Sequence, residues 1–310
     1  MMSKENQNSQ SSCQNSVVTI GTFDGLHIGH QKILNRVLDI SRVKDLNATV
    51  LTLFPHPRMV LQKDSSIRLL NTIDERIALL KQFNIKCVVV KTFTKDFADL
   101  SARDYVKNIL VDELNVKQIV IGYDHHFGKN RSANINDLKM FANEFHFGIE
   151  EITAQDIEDV TVSSTKIRKA LDHGNVSLAN SYLGYTYFLT GTVVKGKRIG
   201  RTIKFPTANI HIKEDYKLIP KDGVYVVSSI IDTITVYGMM NIGNNPTVDG
   251  KAKSIEVHFF NFNTDIYNKT LKIEMHTRLR DERKYDSVDL LRQQLQRDKE
   301  ASLNYIETLK

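Results

Sequence analysis

Three glycines and two histidines crowd the ten residues GTFDGLHIGH, Gly21 to His30, at a point where a strand gives way to a helix. The run Val17 to Phe23 has the length and β-branched content of a buried strand, and a helical pattern begins near Ile28 after a very short turn. At a helix N-terminus the free backbone N–H groups and the positive end of the macrodipole attract an anion. Gly25 and Gly29 let that anion approach the backbone. His27 and His30, three apart, project to one side, and each has a ring N–H to donate. Gly21, Phe23 and these neighbours therefore form a candidate cradle for the phosphates of a nucleotide. Two plainer readings stay open at this point: surface histidines, or half of a metal site that still lacks the further ligands zinc takes.

Other polar clusters fall at comparable places. FPHPR, Phe54 to Arg58, and GYDHHFGKNR, Gly122 to Arg131, each follow a strand-like run. VSSTKIRKAL, Val162 to Leu171, sets Ser163 or Ser164 to cap a helix, with Thr165 and Arg168 on one side. Hydroxyls, free N–H groups and an arginine at one helix start make a second phosphate clamp; an ordinary capped helix is the plain alternative. In the second half, KGKRIGRTIKFPTAN places Gly196 and Gly200 in a loop able to close over phosphates, with Arg198, Arg201 and Lys204 nearby. Thr207 and Asn209 alternate along an extended segment and share a face. Two neutral oxygen ligands plus nucleotide phosphates suit Mg²⁺. Glu256, flanked by apolar residues in SIEVHFF, is a candidate general base, or else an outward-facing strand residue.

These residues need a scaffold, and the hydrophobic pattern supplies two. Strand-like runs at 47–54, 85–90 and 116–124 alternate with helical stretches near 73–83, 101–114 and 134–145, the signature of a parallel sheet with helices on both faces. Ligands bind such sheets beyond the carboxyl ends of the strands, where the histidine turn, FPHPR and GYDHHFGKNR converge. From about Tyr187 six short strands succeed one another without long helices, which predicts a closed antiparallel barrel. The segment from Ser287 to Leu309 reads as an amphipathic helix packed on that barrel. The expected architecture is an α/β Rossmann-like domain over 17–184 and a β-barrel domain over 185–310, preceded by a disordered tail, 1–16.

With 310 residues, 41% hydrophobic and 25% charged, the chain has the composition of a two-domain globular protein. Its two cysteines, Cys13 and Cys87, lie in no CxxC or Cys/His pattern, so neither a disulfide framework nor a zinc ribbon is expected, and a reducing, cytoplasmic compartment is the default. No apolar stretch reaches the ~20 residues that span a bilayer, and the opening residues have no secretory h-region. A net charge of +6, spread along the chain, suits polyanionic small molecules without marking a nucleic-acid footprint.

Taken in order, GTFDGLHIGH, SSTKIR, GRTIKFPTAN, GVYVV, NIGNNPTV and the segment from Arg278 to Leu295 resemble the prokaryotic bifunctional riboflavin kinase/FAD synthetase family, from about Val17 to near the C-terminus. The HxGH and SSTxIR elements mark the wider nucleotidyltransferases; the stretch ending in FPTAN is more specific to riboflavin kinases. The resemblance implies two ATP-dependent reactions. The barrel would phosphorylate riboflavin to FMN, with Glu256 as base, Thr207 and Asn209 at an Mg²⁺-nucleotide, and Gly196, Gly200 and Arg201 at the ATP. The N-terminal domain would adenylylate FMN to FAD, releasing pyrophosphate. There His27, His30 and Arg168 would act on the reacting phosphates, with Gly21, Phe23, Gly25, Gly29, Ser163, Ser164 and Thr165 around ATP. Asp124, Phe54 and Arg58 would lie on the flavin side. Small molecules are then the expected partners, with no nucleic acid, membrane or obligate protein.

Three positions depart from the family pattern. Lys204 stands where a glycine commonly precedes the phenylalanine of FPTAN, His125 and His126 replace an aromatic and basic pair, and Asn261 takes a place often held by Asp. None removes a residue given a chemical role. The competing readings are a monofunctional FMN adenylyltransferase with an inactive flavin-binding barrel, a tRNA-charging enzyme sharing the HIGH residues, and a flavin-sensing interaction protein. SSTKIR in place of a KMSK-like loop argues against the second, and two phosphate-handling loops argue against the third.

Overall fold

Val17, Val18 and Thr19 are almost wholly buried because their strand, β1 (Ser16–Ile20), is the middle of a five-stranded parallel sheet. In this computed structural model, which describes residues 13–309 apart from 63–66, 123–124, 153–161, 197–199, 201–202 and 248–249, the sheet order is β3-β2-β1-β4-β5. The partners are β2 (Asn47–Phe54), β3 (Cys87–Thr92), β4 (Val116–Gly122) and β5 (Gly148–Ile152). Helices α1 (Ile28–Lys44), α2 (Pro57–Leu61), α3 (Ile73–Gln82) and α4 (Ile135–Phe145) alternate with the strands, as does a π-helical stretch, Tyr105–Glu113. A capping box between Thr72 and Glu75 fixes the start of α3. The edge strand β5 escapes the sequence pattern: GIEEI has little apolar alternation, and four of its five residues are half-buried.

Below the turn after β1, a buried polar network does structural work. Asp24 accepts from the backbone N–H groups of Leu70 (3.1 Å) and Asn71 (3.2 Å) and lies 3.9 Å from Arg76 of α3. Arg76 also donates to Thr52 Oγ1, and Gly25 N–H donates to Asn71 Oδ1. Both charged side chains are 1% exposed, so the carboxylate is compensated by amides and a cation rather than by water.

The structure corrects the reading of the cysteines and of the tail. Cys13 and Cys87 form a disulfide, with a Cα–Cα separation of 5.7 Å across 74 residues of sequence. Cys13 precedes β1 and Cys87 opens β3, so parallel pairing brings them to the same end of the sheet, inside its core. Residues 13–16 accordingly belong to the fold; residues 1–12 lie outside the described residues.

The chain divides into two compact units between Ser163 and Ser164. The second unit opens with α5 (Ser164–Asp172) and α6 (Val176–Leu183), which pack on each other and, through α6, on the barrel. Asn180 ties them down, donating to Met275 O (2.9 Å) and accepting from Tyr187 N–H (2.8 Å). The change of texture at residue 184 therefore marks where strands begin, whereas the change of packing comes twenty residues earlier, because two helices belong to the barrel's unit. The barrel closes in the order β10-β7-β6-β11-β8-β9, from β6 (Phe188–Val194), β7 (Ala208–His211), β8 (Gly223–Ile231), β9 (Ile234–Thr247), β10 (Gly250–Phe259) and β11 (Thr270–Arg280). Helix α7 (Val288–Glu307) lies on its outer face, where Leu291, Leu295 and Ile306 pack against Val224, Val226 and Met239.

The loop before β7 explains one departure from the family pattern. Phe205 N–H and Ile203 N–H both return to Gly200 O, and this tight turn holds Lys204 at φ 65°. A side chain in that left-handed conformation is strained, which a glycine would avoid. Lys204→Gly is expected to raise unfolding stability by about 0.5–1 kcal/mol, read from urea midpoints; a lower midpoint would show that the lysine side chain stabilises the loop by more than the strain costs.

Candidate active sites

Strand β1 ends in a turn with three residues at positive φ, Phe23 (46°), Gly25 (86°) and Leu26 (37°), which turns the chain sharply enough for α1 to begin at Ile28. His27 caps that helix, its Nδ1 accepting from His30 N–H at 3.4 Å. With Nδ1 as acceptor, the neutral ring carries its proton on Nε2, free to donate to a ligand. The His27 and His30 rings stack, with centroids 3.7 Å apart and planes 18° apart, and Phe23 packs against His30 at 5.1 Å. Burial lowers His27 to about pKa 4 despite the nearby Asp24 carboxylate. His30 is held well below its usual range by burial first, then by His27 and Arg76. Both rings are neutral at pH 7, so they offer directed N–H groups to a polyphosphate, not charge.

Beyond the carboxyl ends of β1 to β4 lies a cavity of about 570 Å³. Gly21 and Thr22 line it from just after β1, Leu53 from the end of β2 and Pro57 from the start of α2, and Phe93, Tyr105 and Phe127 give it aromatic walls. His125, His126 and Arg131 add polar and cationic groups, so it has room and chemistry for a planar anionic ligand. Leu53 and Pro57 replace the expected Phe54 and Arg58 in this wall. Side chains alternate along β2, and Arg58, already in α2, is exposed. Asp124, Arg198 and Arg201 lie outside the described residues. Helix α5 begins at Ser164, directly after Ser163, with Thr165 exposed and Arg168 half-buried; it belongs to the second unit.

The barrel carries a second site on its outer wall. Register pairs Glu256 of β10 with Asn209 of β7 on one side and Asn241 of β9 on the other, so these three share a face with Val224 and Met239. Glu256 does point away from the barrel interior, as the plainer reading had it, but α7 roofs that face and encloses a cavity of about 240 Å³. Thr207 Oγ1 donates to Glu256 Oε2 at 2.9 Å. Thr207 also lines an adjoining cavity of about 230 Å³, with Phe259, Asn263, Asp265 and Tyr267. Thr207 thus stands between two chambers, and the carboxylate opens into only one. Gly196 lies so close to Asn209 that a Cβ would meet its amide at 2.2 Å, and a Cβ on Gly200 would meet Phe205 O at 2.2 Å. Gly196 thus lets its backbone press against β7, and Gly200 lets the loop fold back on Phe205.

Sequence reasoning missed the roof of the barrel cavity. Arg280, at the end of β11, and Glu282, Arg283 and Tyr285, in the segment between β11 and α7, line it. Arg280 Nε and Nη2 grip Asp298 of α7 at 2.7–3.1 Å, and Asp298 also accepts from Gln294 (2.9 Å). Charged residues in a loop read as solvated surface. The signal that could have found them is Asp298, a charged residue on the apolar stripe of α7 that contains Leu291 and Leu295. Among the described residues no cluster of three or more His, Cys, Asp or Glu could hold a metal ion by itself.

Comparison with known proteins finds relatives of both halves of the chain. A family model described as FAD synthetase matches residues 9–166, and one described as riboflavin kinase matches residues 183–306. Proteins named bifunctional riboflavin kinase/FMN adenylyltransferase are similar throughout. The one from Bacillus subtilis (strain 168) is 35% identical, covering 95% of this chain and 94% of its own, and the one from Listeria monocytogenes is 37% identical, covering 92% and 91%. The Escherichia coli (strain K12) protein is 32% identical, covering 94% and 92%. A crystal structure from Streptococcus pneumoniae, described as a macrolide-efflux protein, superposes with a TM-score of 0.84 at 34% identity, covering 94% of each chain. Among the described residues no helix is long and apolar enough to cross a membrane.

The buried histidines also predict a pH dependence. Unfolded histidines take up protons near pH 6.5, whereas folded His27 holds off until about 4. Between these values the unfolded chain binds more protons, so stability is full above about 6.5 and falls as pH drops toward 4. The slope is up to about 1.4 kcal/mol per pH unit for each such histidine. Urea midpoints are expected to decline from pH 7 to pH 5, and less steeply in His27→Asn, which keeps a capping acceptor. An equal slope in that variant would assign the loss to other groups.

Proposed function

Because the chain belongs to the bifunctional riboflavin kinase/FMN adenylyltransferase family, we propose the following division of labour among its residues. The enzyme phosphorylates riboflavin with ATP to give FMN and adenylylates FMN with a second ATP to give FAD and pyrophosphate. The hydrogen bond between Thr207 and Glu256, on the wall between two chambers, carries the kinase assignment. Riboflavin occupies the roofed chamber, whose walls are largely apolar, and its 5′-hydroxyl meets Glu256. ATP occupies the adjoining chamber. Glu256 takes the hydroxyl proton as the oxygen attacks the γ-phosphorus and ADP leaves. Thr207 and Asn209 offer two neutral, hard oxygens beside a carboxylate, a donor set that fits Mg²⁺ held mainly by polyphosphate. Such an ion, when bound, offsets phosphate charge. Gly196, Gly200 and Arg201 are assigned to ATP.

Adenylyl transfer needs no strong base, because the FMN phosphate is already anionic at pH 7, so positioning and charge stabilisation dominate. We assign His27 and His30 to the triphosphate of ATP at the turn that includes Gly21, Phe23, Gly25 and Gly29. Ser163, Ser164, Thr165 and Arg168 are given to the same step, in line with a family model that runs to residue 166. The flavin takes the aromatic cavity beyond β1 to β4, and Asp124 is assigned to flavin binding. The adenylyl-transfer domain is taken as 17–184 and the kinase domain as 185–310. A cytoplasmic location, where both ATP-dependent steps find their substrate, is part of the same reading.

Glu256→Gln is expected to slow FMN formation from riboflavin by about 10²- to 10⁴-fold and to leave FAD formation from added FMN unchanged, both followed by chromatography of the flavins. Loss of both activities in a folded variant would overturn the separation of sites.

A further inference from the structure

The roof of the barrel chamber contains a polar group that the reaction above does not use. Tyr285 lines the chamber together with Glu256 and Thr207. Its hydroxyl is buried and has no hydrogen-bond partner, the kind of group that costs stability unless a ligand satisfies it. Its ring is held by Arg283, whose guanidinium stands 4.7 Å from the ring centroid, and by Arg280 at 5.8 Å. Arg280 is itself fixed: Nε and Nη2 donate to Asp298, which is 4% exposed, and Nη1 donates to Asp281 O. Every nitrogen of that guanidinium is engaged within the protein, so Arg280 braces the roof and leaves ligand recognition to its neighbour. Asn241, His258, Glu282 and Arg283 also line the chamber, and of its polar groups Glu256 and Thr207 are committed to the hydroxyl that reacts.

We propose that Tyr285 is a specificity-determining residue for riboflavin, its hydroxyl bonding the polar pyrimidinedione edge of the ring system while Glu256 meets the ribityl end. The inference rests on the kinase reading of the barrel. A phenol both donates and accepts, and that flavin edge presents carbonyl oxygens around an N–H, so either polarity is met. The apolar wall formed by Phe205, Met239, Leu291 and Leu295 accommodates the fused rings but cannot distinguish their polar edge. A hydroxyl on a braced ring supplies that distinction at little entropic cost.

Tyr285→Phe removes only the oxygen. Riboflavin affinity is read by flavin fluorescence, and KM for riboflavin and for ATP by FMN formation, with FAD formation from added FMN as the control that the chain is folded. The expected result is a three- to tenfold rise, by the worth of about one hydrogen bond, in both Kd and KM for riboflavin. KM for ATP, kcat and FAD formation should be unchanged. Unchanged riboflavin Kd in the folded variant would overturn the proposal, as would a rise confined to the KM for ATP. If the unaltered protein binds riboflavin but forms no FMN, the kinase reading fails, and the Kd comparison still decides the role of the hydroxyl.

Discussion

A buried carboxylate at a strand-to-helix turn is the constraint around which the N-terminal unit is arranged. Asp24 has left water altogether, and its charge is tolerable only because two backbone amides and Arg76 face it. That arrangement binds the turn after β1 to the start of α3, about fifty residues later, and Asn71 closes the bracket by accepting from Gly25 N–H. The turn can then hold three residues at positive φ and present two stacked, neutral histidines at a helix N-terminus. A loosely held turn would lose the geometry that makes N–H groups useful to a phosphate.

On the proposed assignment, the two sites solve one problem, holding a polyphosphate beside a flavin, with different materials. In the parallel sheet, strand ends and helix starts supply the binding groups, and the cavity forms where the loops gather. In the barrel, the interior is filled by side chains such as Val257 and Ile273, so the chemistry moves to the outer wall. There, register sets Asn209, Glu256 and Asn241 side by side, and α7 supplies the cover that a barrel cannot give its own exterior.

The strands, the histidine turn and the barrel were legible because β-branched runs and glycine-rich turns leave a local imprint. Strand β2 is found at the residues its pattern predicts, 47–54, and Glu256 and Thr207, singled out by their apolar flanks and spacing, are hydrogen-bonded to each other. What escaped depends on distance in sequence. Nothing near Cys13 announces Cys87, 74 residues on. Arg76 and Asp24 read as surface charges until burial is known, and the glutamates of β5 hide an edge strand. Tyr285 sits in a charged loop with no periodicity, so its place in the chamber follows only from the packing of α7. Phe54 and Arg58 show the finer limit: locating a strand end is easier than deciding which of two successive side chains faces a cavity.

The register across β7, β10 and β9 bears on how such a chain can change through descent. A single inserted residue in any of these strands would turn every following side chain to the opposite face, sending Glu256 inward or parting it from Asn209. Closure removes the free edge at which a slipped strand could find a new neighbour. A lineage carrying this barrel is therefore free to lengthen its connecting turns and to exchange one side chain for another, but within these three strands a change of residue count breaks the site.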